Sequence, residues 1–84
     1  MQQIECTKSS NLQWARYFPD EQRLEIDFKK ADGSFASTYE YQDFSSMDWE
    51  RFVESDSKGQ WFAYHVRNAK KPDGTPKYPA RKIK

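Results

Sequence analysis

The chain has little of what most catalytic and metal-binding sites require. Among its 84 residues it has one cysteine, Cys6, and one histidine, His65. These two offer no cluster with metal-ligand spacing, and no acyl-transfer triad stands out around a single histidine. The aspartates and glutamates show no spacing that singles out an acid and a base. We therefore predict a protein without catalytic residues, metal or cofactor, which is not an enzyme.

Long apolar runs are missing as well. No stretch approaches the roughly 18 apolar residues that a membrane span needs. The first residues have neither the basic region nor the apolar run of a signal peptide. One cysteine cannot form an internal disulfide, which suits a reducing compartment. The sequence thus predicts a cytoplasmic protein that makes no contact with a membrane.

Aromatic residues are abundant, and basic residues are unevenly distributed. Three Trp, five Tyr and six Phe supply apolar area for a core, although 32% of the residues are charged. The net charge of +1 is divided unequally, because residues 67–84 have seven basic side chains and one acidic side chain. That segment has a balance of +6, which leaves −5 for residues 1–66. Only the C-terminal segment supplies positive charge in bulk for a polyanion.

Hydrophobic alternation predicts three strands joined by tight turns. Residues 10–18 are the first candidate, and residues 23–29 alternate apolar and charged side chains throughout. The turn at Asp32-Gly33 is typical of a hairpin and leads into a third strand, residues 34–41. Sequential strands with tight turns give an antiparallel meander.

One amphipathic helix is predicted over residues 46–57. Ser45 is a suitable N-cap, and Trp49, Phe52 and Val53 form an apolar stripe with i, i+3, i+4 spacing. We expect this stripe to pack on the apolar face of the meander. The fold class is therefore α+β, a three-stranded antiparallel β-meander packed by one amphipathic helix.

Residues 60–68 fit two interpretations. Phe62 and Val66 have helical spacing, whereas Phe62, Tyr64 and Val66 also alternate as in a strand. The pattern leaves both open, and our predicted fold includes a short C-terminal helix there. The chain is then divided into a flexible N-terminal arm, residues 1–9, a folded domain, residues 10–68, and a basic flexible tail, residues 69–84.

Tyr39 and Tyr41 are the first candidate binding residues. They lie two apart on the third strand and therefore share one face of it. Tyrosines on a sheet can stack on nucleobases, each good stack contributing about 1–3 kcal/mol. The same face is expected to receive the helix, so the sequence leaves open whether these rings belong to the core or to a binding surface.

The junction Ser57-Lys58-Gly59 is the second candidate. If residues 60–68 are helical, their free amide donors follow a glycine and lie beside a lysine, which together suit an anion. Arg67 would add a guanidinium if this helix folds back. The alternative is architectural, with Ser57 capping the second helix and Gly59 ending the first in a left-handed conformation.

Short motifs in a fixed order run through residues 10–67. They are Ser10, Leu12 and Tyr17, then Leu24-Glu-Ile26-Asp-Phe28 and Gly33, then Tyr39-Glu-Tyr41, and finally Ser57-Lys58-Gly59, Trp61-Phe62 and Val66-Arg67. In this order they resemble the KTSC domain, a small bacterial and phage domain that also occurs at the C-terminus of some lysyl-tRNA synthetases. The resemblance implies the α+β fold, and RNA binding has been proposed for the family.

The leading functional hypothesis is a non-catalytic binding module for RNA or another phosphate-bearing ligand. The Ser57–Gly59 junction would hold phosphate, and Tyr39 or Tyr41 would offer a stacking surface. The basic tail would add nucleic-acid contacts through Lys70, Lys71, Lys77, Arg81 and Lys82. The alternative is a protein–protein adaptor, for example a phage protein acting on a host factor, because aromatic side chains on an acidic body suit a protein partner. The sequence does not indicate an oligomeric state.

Overall fold

The computed structural model describes residues 1–6 and 8–84. Within these residues the strands are β1 (Gln2–Glu5), β2 (Leu12–Phe18), β3 (Arg23–Lys29), β4 (Phe35–Tyr41) and β5 (Ala80–Lys82). The helices are α1 (Ser46–Glu54) and α2 (Lys58–Phe62), and α2 continues into a π-helical turn, Ala63–Arg67. The five strands form one antiparallel sheet in the order β1-β2-β3-β4-β5, which gives an α+β fold.

The central meander follows the predicted alternation. β3 pairs antiparallel with β4, with Leu24 opposite Tyr41 and Ile26 opposite Tyr39. The connecting turn contains Gly33 at a φ of 88°, a conformation that glycine adopts without steric penalty. The prediction that residues 23–29 pair antiparallel with residues 34–41 is therefore confirmed.

The prediction of three strands is wrong, because both ends of the chain join the sheet. β1 lies in residues 1–9, where we expected a flexible arm, and it pairs with β2. β5 lies in residues 69–84, where we expected a flexible tail, and it pairs with β4. Both added strands are short, polar and largely exposed, so hydrophobic alternation does not mark them. Backbone hydrogen bonding, which any sequence without proline supplies, positions them at the sheet edges.

Helix α1 packs on the core through two aromatic residues. Its N-cap is Ser45, whose hydroxyl accepts a hydrogen bond from the Asp48 amide at 3.1 Å. Trp49 and Phe52 are buried, and the Trp49 indole stacks on Tyr17 at 5.3 Å between centroids. Val53, predicted to belong to the same stripe, is 37% exposed and lies at the edge of the interface.

The second helical segment resolves the ambiguity of residues 60–68 in favour of a helix. Ser57 is the N-cap of α2, and the Asn68 amide donates to the Ala63 carbonyl at 3.1 Å, the i−5 bond of a π-turn. Phe62 is buried, whereas Tyr64 is 75% exposed, which a strand with alternating burial would not give. The segment packs on β3 and β4 through Phe62, whose ring lies 5.3 Å from Tyr41 and 5.8 Å from Phe28.

Candidate functional site

A cleft of about 420 Å³ lies where β3, β4 and the π-helical turn meet. We call it the Tyr39 cleft. Its lining residues are Asn11, Phe28, Lys29, Ser37, Tyr39, Tyr41 and Arg67. The cleft brings together three of the residues that the sequence singled out, Tyr39, Tyr41 and Arg67, although they are up to 28 positions apart in the chain.

The two tyrosines play different parts in the wall of the cleft. Tyr41 is 7% exposed and belongs to the core, and burial raises the pKa of its hydroxyl to about 12, so this group remains neutral at physiological pH. Tyr39 is half-buried, and its ring makes an edge contact with Phe28 at 5.8 Å. The question of core or surface is thus answered separately for each residue. Tyr41 forms the floor of the cleft, and Tyr39 has ring surface available to a ligand.

Arg67 is the last residue of the π-helical turn and crosses the aromatic wall. Its guanidinium carbon lies 5.7 Å from the Phe28 ring centre and 5.9 Å from the Phe62 ring centre, at the outer range of cation–π contact. Within residues 1–6 and 8–84, neither Arg67 nor Lys29 makes an ion pair. Both cations are therefore available to bind an anion.

The cleft lining contains two cations and no carboxylate among the described residues. A cation-lined cleft with an aromatic wall matches the chemistry of a phosphate joined to a planar ring.

The C-terminal strand brings a further cation beside Tyr39. Lys82 lies directly opposite Tyr39 in the β4–β5 pairing, so both side chains project from the same face of the sheet. The neighbouring residue, Arg81, projects from the opposite face and pairs with Glu40 at 2.7 Å. Of the two predicted tail residues in β5, the structure thus places Lys82 beside Tyr39 and directs Arg81 away.

The remaining tail lysines lie elsewhere. Lys70 forms an isolated β-bridge with Pro76, and the Lys71 amide donates a hydrogen bond to the Thr75 carbonyl in an exposed turn. Lys77 lines a separate cleft of about 290 Å³ whose other lining residues are Asp48, Arg51, Trp61, His65 and Tyr78. None of these three lysines lines the Tyr39 cleft. Their predicted contact with nucleic acid stays a prediction.

The Ser57–Gly59 junction is separate from the Tyr39 cleft and has local structural contacts. The Ser57 hydroxyl caps α2 by accepting a bond from the Gln60 amide at 3.3 Å. The Lys58 ammonium donates to the Ser55 carbonyl at 2.6 Å, which satisfies a free acceptor at the C-terminal end of α1. Gly59 does not end α1 in a left-handed conformation as predicted, because it lies inside α2 without a positive φ.

A second cavity, of about 440 Å³, lies beside that junction. Its lining residues are Glu5, Cys6, Lys8, Ser9, Asp56, Ser57 and Lys58, with two acidic and two basic side chains. Cys6 is 2% exposed, and burial raises the pKa of its thiol, which keeps this thiol protonated and unreactive. The junction therefore lacks the excess of positive charge found in the Tyr39 cleft, and phosphate binding by Lys58 stays a prediction.

Sequence reasoning missed Lys29 as a cleft residue. Strict alternation places Lys29 with Glu25 and Asp27 on the face opposite Tyr39. The pairing of β3 with β4 is shifted between Phe28 and Lys29, so the alternation is broken at that point. The Lys29 amide then bonds to the Asn11 carbonyl at 2.9 Å, which brings both residues to the cleft. No residue pattern in the sequence marks this shift.

The sheet face opposite the helices has a network of ion pairs, which we call the charged face. The Arg16 guanidinium donates to Asp27 at 2.5 Å and to Glu25 at 3.2 Å. Burial would raise the pKa of Asp27, but hydrogen bonds from Arg16 and Thr38 outweigh it and the pKa is lowered. The other members are Arg23, Glu40 and Arg81.

Two absences apply to the part of the chain that the structure describes. No group of three or more His, Cys, Asp or Glu side chains could hold a metal ion there. His65 is exposed and its ring lies 4.8 Å from the Trp61 ring, a packing contact. Among the described helices, none has both the length and the apolar composition to cross a bilayer.

Comparisons with known proteins point to one family. No curated protein matches the chain. A crystal structure of a KTSC domain protein from Yersinia pestis is similar, with a TM-score of 0.73 and 28% sequence identity over 99% of this chain and 97% of that one. The sequence model of the KTSC domain matches residues 8–69, well over half of the chain. The chain therefore belongs to the KTSC domain family, as the ordered motifs predicted.

Proposed function

We propose that this protein is a non-catalytic module, located in the cytoplasm, that binds RNA or another phosphate-bearing ligand in the Tyr39 cleft. The observation behind the proposal is the charge of the lining, which has two unpaired cations and no carboxylate among the described residues. An anion in this cleft meets attraction from Arg67 and Lys29 without a competing negative group.

The shape of the cleft favours a ligand with a planar group beside its phosphate. The half-buried Tyr39 ring can stack on a base, while the Arg67 guanidinium has a planar fork of donors that fits two phosphate oxygens. Stacking on an aromatic ring combined with contact to the phosphate backbone tolerates many base sequences. A module of this kind would bind single-stranded RNA with weak sequence preference and strong salt dependence.

Arg67→Gln tests the proposal directly. We expect about a tenfold loss of affinity for a 5′-labelled oligoadenylate of about ten nucleotides, measured by fluorescence anisotropy, because a charged hydrogen-bond donor to phosphate is lost. The matched control is Arg51→Gln, which removes the same charge from an arginine that is 62% exposed on α1 and outside the cleft. The control should change affinity less than about twofold.

The salt dependence of binding distinguishes a ligand held in the cleft from one attracted to the whole surface of the protein. Arg67→Gln should reduce the slope of log K against log salt by about one, and Tyr39→Leu should weaken binding while Tyr39→Phe preserves it. Equal losses for Arg67→Gln and Arg51→Gln would contradict the proposal. So would the absence of binding to the oligoadenylate, to adenosine monophosphate and to pyrophosphate.

A protein–protein adaptor is the second candidate, and the charged face favours it. Phe18 lies under the Arg23 guanidinium at 3.9 Å, and Trp14 is half-buried on the same side of β2. Aromatic and arginine side chains are enriched where proteins bind each other. Capture of one protein from host lysate at moderate salt, lost with Trp14→Ala and retained with Arg67→Gln, would favour the adaptor over the RNA module.

A further inference from the structure

The last strand, β5, is held to the sheet by few contacts. All three of its residues are exposed, and it pairs with only the last three residues of β4. Beyond it, the Thr38 carbonyl accepts from the Ile83 amide at 2.8 Å, and the Thr38 amide donates to the Lys84 carbonyl at 3.0 Å. An edge strand with so little buried area detaches from a sheet at low free-energy cost.

One side-chain contact adds to this pairing. Arg81 reaches Glu40 at 2.7 Å on the charged face, where the Glu40 side chain is only 9% exposed and the Arg81 side chain is 75% exposed. The carboxylate is thus buried in the sheet, and the arginine is the exposed partner. Docking of β5 places Lys82 on the other face, directly opposite Tyr39 of the cleft wall.

We propose that β5 is a clasp that couples ligand binding in the Tyr39 cleft to docking of the C-terminal strand, with Glu40 as its positioning residue. This inference depends on the proposed function of the same cleft. Lys82 adds a third cation only while β5 is paired with β4. A bound phosphate stabilises the docked strand, and the docked strand in turn raises the affinity for phosphate.

The clasp predicts that removing the negative charge of Glu40 lowers the affinity for an anion, the opposite of the effect expected from charge alone. Glu40 is a carboxylate, and removing a negative charge from a protein ordinarily strengthens its binding to an anion. Glu40 faces away from the cleft, however, and its pairing with Arg81 favours the position of Lys82. Glu40→Gln, which preserves the side-chain shape, should therefore weaken anion binding.

The experiment measures affinity for the 5′-labelled oligoadenylate in variants of the full chain. We expect Glu40→Gln and Lys82→Gln each to weaken binding about threefold, the scale of one partly exposed ion pair. Glu50→Gln is the matched control, because Glu50 is exposed on α1, does not line the Tyr39 cleft and, within residues 1–6 and 8–84, makes no ion pair with the charged face. The control should leave affinity unchanged or raise it slightly.

A double-mutant cycle tests whether Glu40 acts through Arg81. In an Arg81→Gln background, Glu40→Gln should no longer weaken binding, because the contact is already absent. The Ile83 amide should also exchange its hydrogen more slowly when the oligoadenylate is bound. A purely structural role of Glu40 would lower the melting temperature without either effect.

The possible outcomes separate the two proposals. If Arg67→Gln weakens binding and Glu40→Gln leaves it unchanged or strengthens it, the clasp is wrong. The proposal that the Tyr39 cleft binds the ligand is then still supported. If no variant affects binding because the oligoadenylate does not bind, the proposed function fails with it. Should Glu40→Gln fail to fold, Lys82→Gln and the exchange rate of the Ile83 amide test the clasp instead. Lys82, like the other residues of β5, is exposed, so its substitution should not disturb the core.

Discussion

The hydroxyl of Ser9 explains why position 59 is glycine. This oxygen accepts hydrogen bonds from the amides of Asn11 at 3.3 Å and Leu12 at 3.0 Å, which fixes the start of β2. A Cβ at Gly59 would lie 3.0 Å from the same oxygen, closer than ordinary van der Waals contact. The close approach of α2 to the Ser9 turn therefore disfavours a larger residue at position 59.

Gly59→Ala should destabilise the protein by about 1 kcal/mol, because the anchored hydroxyl cannot retreat without losing its amide donors. Chemical denaturation measures this change. In a Ser9→Ala background the same substitution should become neutral or stabilising, since alanine is the better helix former. A loss of equal size in both backgrounds would show that Ser9 is not the cause.

At the scale of elements, the charged face connects three strands through one carboxylate. Asp27 on β3 accepts from Arg16 on β2 and from the Thr38 hydroxyl on β4, the latter at 2.6 Å. These bonds lower the pKa of Asp27 against the opposing effect of burial. A cross-strand pair usually joins two strands, whereas this group joins three in the middle of the sheet.

The pH dependence follows from that lowered pKa. The contribution of Asp27 to stability is complete above the unfolded value of about 4 and is lost as the pH falls through the lower folded value. Asp27→Asn should remove this acid-dependent part of the unfolding free energy. Thr38→Val, which removes one donor, should move the acid midpoint to higher pH. A midpoint unchanged in both variants would contradict this account.

The strands and helices differed in how well the sequence predicted them. β3 was found because its apolar residues alternate strictly, and α1 because Trp49 and Phe52 have helical spacing. β1 and β5 were missed because their polar residues owe their position to backbone pairing. Val53 was predicted to belong to the buried stripe, but only Trp49 and Phe52 of that stripe are buried, and Val53 is 37% exposed.

The sequence also predicted only those residues of the candidate site that do not depend on strand pairing. The Tyr-x-Tyr motif and Arg67 belong to one cleft, and their residue types were sufficient to propose them. Lys29 depends on a register shift between two strands, and Lys82 depends on which strand its segment pairs with. Both are consequences of pairing between distant segments, which local residue patterns do not encode.

At the scale of the whole molecule, the C-terminal segment is part of the core. Tyr78 is 4% exposed, its ring lies 5.1 Å from Phe44, and its hydroxyl donates to Asp48 at 2.7 Å. Burial and this hydrogen bond both raise the pKa of Tyr78, so the hydroxyl remains a donor at physiological pH. The ring is anchored to α1, which connects the final segment of the chain to the helix layer.

Truncation should reveal this anchor. Removing residues 78–84 should destabilise the fold by about 3 kcal/mol, the scale of losing one buried aromatic ring, and lower the melting temperature by roughly 10 °C or more. Truncation after Pro79 is the control, because it removes β5 but retains Tyr78, and it should have a much smaller effect. Equal losses for the two truncations would assign the stability to β5.

The sheet order also determines where foreign sequence can be attached. β1 and β5 are opposite edges, separated by four strand spacings or about 19 Å, so the two ends of the chain leave the molecule on different sides. An affinity tag or fusion partner after Lys84 would begin beside the Tyr39 cleft and could obstruct it, whereas one placed before Met1 would begin at the far edge. An N-terminal tag is therefore the better choice for the assays of the Tyr39 cleft, whereas the adaptor assay is better served by a C-terminal tag, because Gln2 lies opposite Tyr17, next to Phe18.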